Sequence, residues 1–140
     1  MEAESDIVNL MRNMQPRLDE QPFVFCQLVH ETWRDSAVTP ICLFKENEGW
    51  TAILEESEAI KAGIPYEGIW AHIVLEVYSD LNAVGFLVKI TSALAEKGIP
   101  VNPVSAFHHD HLFVPWEMRD LTMEALTKLQ CFYSVSPASN

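Results

Sequence analysis

The stretch AHIVLEVYSDLNAVGFLVKITSALAEKG, residues 71–98, decides the fold. Its first eight residues alternate: Ile73, Leu75 and Val77 fall on one face and His72, Glu76 and Tyr78 on the other. That period of two predicts a strand over Ala71–Tyr78 covered on one side. The spacing then changes. Ala83, Leu87, Ile90 and Leu94 recur at helical intervals, with Lys89, Ser92 and Glu96 on the opposite side. This predicts an amphipathic helix, which Gly98 and Pro100 close because one tolerates positive φ and the other cannot continue a helix.

Downstream, Val101–Phe107 reads as a second strand whose Pro103 lacks an amide donor and so favours an edge or a bulge. His109-Asp110 is expected to turn the chain, His111–Pro115 to return as a third strand, and Met118, Leu121, Ala125 and Leu129 to mark a last helix before the polar tail Ser134–Asn140. The order β, α, β, β, α is the split β-α-β of a ferredoxin-like sandwich, and the fold class is α+β. The uncovered face of such a sheet is expected to meet a neighbouring module or a second subunit, which predicts self-association.

Upstream the pattern is shorter. Ile7, Leu10, Met11 and Met14 share a helical face over Asp6–Met14, with Ser5 or Asp6 as cap and Pro16 as stop. Phe23–His30 reads as a buried strand and Glu31–Thr39, containing Trp33, as a polar loop. Ile41–Lys45 and Trp50–Leu54 are expected to pair as a hairpin across Glu46-Asn47-Glu48-Gly49, followed by a short helix Glu55–Ala62 ended by Gly63 and Pro65. Strand, hairpin and helix thus occur twice, with the first copy lacking the long crossover helix. The N-terminal helix is expected to cover the sheet face so vacated. The division is 1–68, a helix plus an incomplete module; 69–133, a complete module; and 134–140, a tail.

Twenty acidic against nine basic residues give a net charge of -11, a field that repels phosphate backbones and anionic lipid. Neither nucleic acid nor membrane is expected as a partner. The N-terminus is acidic where a targeting signal would be basic, so a cytoplasmic location is expected. Cys26, Cys42 and Cys131 form no C-x-x-C pattern and read as reduced thiols, Cys26 and Cys42 as buried filler. Trp50 and Trp70 are expected in the core, and Trp33 and Trp116 either there or at an interface.

For function, the loop Asp80–Gly85 leaves a strand and enters a helix, so it presents unpaired amides at the positive end of the helix dipole, suited to a carboxylate. Gly85 lets a ligand or backbone come close because it has no Cβ. The competing readings are that Asp80 or Asn82 caps the helix and that Gly85 serves close packing. His108-His109-Asp110-His111 is the one dense run of metal-ligand types. Strand geometry lets only His109 and His111 converge locally, so a hairpin turn with Asp110 bonding its own backbone is favoured over a metal site. Glu46/Glu48 and Glu55/Glu56 read as solvated acids, and no nucleophile elbow or phosphate loop occurs.

The segments VYSDLNAVGF (77–86), LAEKGIPVN (94–102) and HDHLFVP (109–115) resemble the ACT domain family. They are similar in particular to small tandem ACT-like proteins of largely unknown function and to the ACT modules of aspartokinases and arginine sensors. The likeness extends over Phe23–Leu129. It implies a non-catalytic, regulatory protein that binds a small molecule, an amino acid foremost, where two modules meet, as a homodimer and without a cofactor. By that resemblance Gly85 matches the glycine near the ligand, Val84 and Phe86 flank it, and Asn102 and Ser105 lie on the next strand. Asp80 and Asn82 complete the implied site. The family's usual Asp-x-Pro-Gly is replaced by a longer spacing from Asp80 to Gly85, which weakens a role for Asp80 in gripping an ammonium group. The first half has no such loop, so at most one complete site per chain is expected. The alternatives are a partner-binding dimerisation module with no ligand, and a metal-dependent enzyme built on His108–His111.

Overall fold

The structure is a computed structural model and describes residues 6–28, 37–80 and 82–135. In chain order the elements are α1 (Ile7–Asn13), β1 (Pro16–Leu28), β2 (Cys42–Glu46), β3 (Gly49–Glu55), α2 (Glu56–Ala62), β4 (Trp70–Leu75), α3 (Phe86–Glu96), β5 (Asn102–Ser105), β6 (Asp110–Pro115), a 3-10 turn (Trp116–Met118) and α4 (Arg119–Val135). The expected loop Glu31–Thr39 and its Trp33 lie outside the described residues over 31–36, and the tail does so from 136.

The chain forms two compact units, and these are cut differently from the sequential division at residue 68: one is Met1–Asp19 with Ala71–Asn140, the other Glu20–Trp70. In the first unit the start of β1 lies beside β4, followed by β6 and β5, the strand order of a ferredoxin-like sheet. β5 is the edge strand, as Pro103 requires, and pairs antiparallel with β6 from Asn102↔Phe113 to Ser105↔Asp110. Ala71, Ile73, Leu75, Leu112 and Val114 point from β4 and β6 into one core with Phe86, Ile90 and Leu94 of α3 and Leu126 of α4. The alternation read from the sequence therefore gives the correct core face, but β4 is not covered on one side only: His72 and Val74, on its other face, are buried too. β4 is shorter than expected because the Val77 amide turns back onto the Leu75 carbonyl at 2.8 Å, ending the strand.

The N-terminal helix corrects the sequence reading. It does not cover the first module: Leu10, Met11 and Met14, fully buried, belong to the core shared with α3 and α4. The Arg12 guanidinium donates to the Tyr133 carbonyl at 2.9 Å, and the Gln130 amide donates to the Arg12 carbonyl at 3.0 Å. The physical reason is the short link to β1. Pro16 follows α1 at once, and the Glu76 amide donates to the Gln15 carbonyl at 3.0 Å, so the helix enters this unit with the strand it precedes. Asp6 is the cap, accepting from the amides of Val8 and Asn9.

β1 starts seven residues before the expected Phe23, at a proline that needs no donor in a first strand position. In the second unit β1 pairs with β3 from Phe23↔Glu55 to Leu28↔Trp50, and β2 with β3 from Cys42↔Ile53 to Glu46↔Gly49. Pro22 lies just before that register, so it costs the β1–β3 ladder no bond. Val24, Cys26, Leu28, Ala52, Leu54 and Ala59 form its core, and Gly63 at φ 66 stops α2 as expected. Cys42, Trp50, Trp70 and Trp116 are half-buried rather than core filler; the Arg119 guanidinium lies 4.0 Å over the Trp116 ring.

Of the stripe expected for α4, Met118, Ala125 and Leu129 pack partly buried against the core, but its centre lies on other residues. Thr122 and Leu126 are fully buried, whereas Leu121 is 44 % exposed. The threonine is tolerated inside because its hydroxyl donates to the Met118 carbonyl at 2.8 Å. Leu126→Ala is accordingly expected to cost about 2–5 kcal/mol, and Leu121→Ala less than about 0.5 kcal/mol. Urea unfolding of the two variants distinguishes them, and equal losses would refute this orientation of α4.

Candidate ligand-binding site

Where β4 gives way to α3, the chain crosses the ends of β5 and β6 and leaves a cavity of about 230 Å³. It is lined by Ser79, Asp80, Ala83, Gly85, Phe86, Leu87, Val88, Ser105 and Asp110. That volume suits a small metabolite and is below the range of pockets for drug-sized ligands.

Gly85 stands at the N-cap of α3 with φ 90 and supplies no side-chain cap. The first intrahelical bond runs from the Lys89 amide to the Gly85 carbonyl at 3.1 Å, so the amides of Phe86, Leu87 and Val88 precede the ladder and sit at the positive end of the helix. A Cβ added to Gly85 would come within 3.0 Å of Ile7 Cδ1 on α1. The glycine thus admits α1 on one side, as the packing reading has it, and borders the cavity on the other.

Asp110 is the residue that the sequence reading missed. It begins β6 rather than turning the chain, and it is 6 % exposed. Its Oδ2 accepts the Ser79 hydroxyl at 3.0 Å and its Oδ1 the Ser105 hydroxyl at 2.7 Å, so it does not bond its own backbone as expected. The signal that could have found it is its position: an acid one residue before an apolar strand run, facing the same side as Leu112 and Val114. A carboxylate ringed by hydroxyl donors beside free helix amides offers opposite charges to a zwitterion across one small space.

The implied site divides. Asp80, Gly85, Phe86 and Ser105 line the cavity; Asn82, Val84 and Asn102 do not. Val84 is 81 % exposed, and Phe86 is shared with the core. Neither Asp80 nor Asn82 caps α3. Asp80 Oδ1 instead accepts the Asn82 amide at 2.8 Å and its side-chain amide at 3.2 Å, an Asx turn inside the loop.

The histidine run also divides. His109 Nδ1 lies 3.3 Å from the Val77 carbonyl, and His108 is exposed among Tyr78 and Phe107. His111 meets His72 of β4, Nδ1 to Nε2 at 2.9 Å, and His72 Nδ1 lies 3.3 Å from Asp19 Oδ2. Among the described residues no group of three His, Cys, Asp or Glu side chains is arranged to hold a metal ion. In the other unit a cavity of about 340 Å³ is lined by Ala37, Val38, Glu58, Lys61 and Ala62. Burial pushes the Cys26 thiol above its ordinary value, which keeps it protonated and unreactive.

Comparison with known proteins bears on this arrangement. ACT domain models match residues 2–71 and 67–128. A solved protein of unknown function from Vibrio cholerae, described as a possible transport protein, is 32 % identical over 89 % of this chain and 95 % of its own, with a TM-score of 0.79. A protein from Agrobacterium tumefaciens superposes at 0.67 with 16 % identity, covering 84 % of this chain and 89 % of its own. The ligand-free regulatory subunit of aspartate kinase from Thermus thermophilus superposes at 0.65 with 10 % identity, covering 85 % and 97 %. Among curated proteins none matches. No helix of the described residues is long and apolar enough to cross a membrane.

Buried His72 and half-buried His111 fix a pH dependence. Burial lowers His72 below the ordinary histidine value, against the opposing pull of Asp19; burial, then the charges of His72 and His109, lowers His111. Between the unfolded value, about 6.5, and these lowered folded values the unfolded chain binds more protons. The contribution is therefore complete above about pH 6.5 and is lost as pH falls through the folded values. The urea midpoint should fall between pH 7.5 and pH 5, and His72→Gln should flatten part of that fall; a midpoint independent of pH over this range contradicts it.

Proposed function

The chain belongs to the ACT domain family, with two tandem modules, and from that premise we propose that it is a non-catalytic regulatory protein which binds a free amino acid in the cavity at the start of α3. The observation that carries the reading is the buried Asp110 carboxylate facing the same small cavity as the leading amides of α3. An α-carboxylate is received by the amides of Phe86, Leu87 and Val88, whose partial positive charge costs no side-chain entropy to present. The α-ammonium is received by Asp110, already desolvated and held by Ser79 and Ser105. Such a pair selects the two charges common to all amino acids. Ala83, Phe86, Leu87 and Val88 supply the apolar part of the wall, which Asp80 also borders.

We further propose that the protein acts as a homodimer in the cytoplasm. Support comes from Val88 of the cavity wall at 65 % exposure and from Val84 and Phe107 at 81 % and 69 %, apolar side chains that a second copy would withdraw from water. Light scattering after gel filtration is expected to give twice the monomer mass. Val88→Lys is expected to give the monomer with its fold intact, since that side chain is not part of the core; a monomeric wild type refutes the dimer.

The binding reading is tested by melting the protein against the twenty amino acids one at a time. A ligand at about 100 times its dissociation constant adds about 2.7 kcal/mol, a melting rise of several degrees. At least one amino acid should produce it, and Asp110→Asn should abolish it while its ligand-free melting remains measurable. Twenty unmoved curves would sink the proposal.

A further inference from the structure

The cavity leaves one buried cluster unused. On the face of the sheet turned away from α3 and α4, Asp19 of β1, His72 of β4 and His111 of β6 form a continuous chain. The two imidazole planes lie 14° apart with centroids at 5.1 Å, so the rings meet edge to edge through the Nδ1–Nε2 contact, and His72 stacks on Phe113 at 4.9 Å. His72 is 7 % exposed, while His111 is half-buried and so the more accessible end. Charged and titratable groups around the pair, among the described residues, include Arg17 and Asp19 on β1, Glu76 after β4, with Glu76 paired to Arg17, His109 just before β6 and Asp110 at its start.

Counting protons along the chain fixes what it can do. With Asp19 ionised, His72 Nδ1 carries a proton and donates to it. His72 Nε2 is then bare and accepts from His111 Nδ1–H, which leaves His111 Nε2 as the one open basic nitrogen. A proton arriving forms an N–H bond there. The His111 Nδ1–H bond then breaks as an N–H bond forms at His72 Nε2, and the positive charge comes to rest on His72, against the Asp19 carboxylate. His111 is neutral again in its other tautomer. A second proton would place an N–H on both nitrogens of the contact between two imidazolium rings, which their short separation forbids.

His111 is also the chain neighbour of Asp110, whose side chain points to the opposite face, into the cavity. The Asp110 charge raises the proton affinity of His111, opposing the effect of burial. By reciprocity, anything that neutralises Asp110 must lower that affinity, and a proton on the pair must weaken a cation on Asp110. We propose that Asp19–His72–His111 is a one-proton regulatory site for the cavity, whose proton and an ammonium group on Asp110 exclude one another in part. This rests on the reading that Asp110 receives the ligand's ammonium.

The experiment needs no ligand. Side-chain nitrogen NMR of the histidines in the free wild-type protein, titrated from pH 8 to 5, is expected to show one coupled step in which His111 changes from Nδ1–H to Nε2–H. Asp110→Asn, which removes the charge that an ammonium would neutralise, should move that step to lower pH by about 0.3 unit, the size of one unit charge acting about a residue away at high effective dielectric. In the wild type the Asp110 carboxyl carbon should inflect at the same pH, which keeps the linkage testable where Asp110→Asn does not fold. Two independent histidine titrations without a tautomer change overturn the one-proton site. An unmoved step, or an Asp110 carbon flat across it, overturns the link to the cavity. The cavity reading itself stands or falls on the melting screen, so the two failures are read in separate samples.

Discussion

A carboxylate at 6 % exposure is the constraint on which the site turns. Withdrawing that charge from water costs several kcal/mol unless its oxygens are matched, and here each accepts one serine hydroxyl. The two serines come from different places: Ser79 from the chain leaving β4, Ser105 from the end of the edge strand β5. Asp110 therefore ties the crossover to the hairpin that follows it and holds the mouth of α3 at a fixed distance from β5. The cavity is what remains inside this triangle. Loss of either hydroxyl would leave a buried charge short of a donor, which penalises collapse of the space as strongly as it rewards a cation entering it.

The helix layer obeys a second constraint that also converges on Gly85. α1 brings Ile7 to the N-terminus of α3, close enough that a Cβ at position 85 would meet it at 3.0 Å. The same backbone at φ 90 is one that side chains other than glycine rarely adopt. A helix starting there keeps its leading amides clear because no side-chain cap is present to occupy them. Packing and, under the binding reading, the ligand thus ask for the same residue, and neither requirement has to be traded against the other.

How much of this was legible follows from the range of the interactions. Local patterns were readable: the alternation in 71–75, the αL stop at Gly63, the tight hairpin ending at Gly49 and the edge placement of Pro103 each follow from a few neighbouring residues. Interactions across the sequence were not. The home of α1 depends on bonds from Arg12 to Tyr133 and from Gln130 to Arg12, more than a hundred residues apart, and no periodicity encodes that. Asp110 looked like a turn residue because acids between histidines often are; its serines are 31 and 5 positions away. The face of α4 was read one residue off its centre, with Leu121 placed inside instead of Thr122, because Thr122 satisfies its own hydroxyl within the helix and can be buried, which a hydrophobic stripe does not reveal.

The departure from the family's Asp-x-Pro-Gly spacing can now be given a physical meaning. With four residues between Asp80 and Gly85, the Asp80 carboxylate is spent on the Asn82 backbone and side-chain amides, shaping the loop from within. An acid committed to an Asx turn is a poor partner for an ammonium group, because each bond to the ligand would compete with one that holds the loop. Asp110 carries no such conflict: its donors are hydroxyls, each of which can keep its bond to one lone pair while the remaining lone pairs face the cavity. Under the binding reading, recognition has passed from the crossover loop to the strand opposite it. The lengthened loop is then tolerated because it no longer has to place a charge.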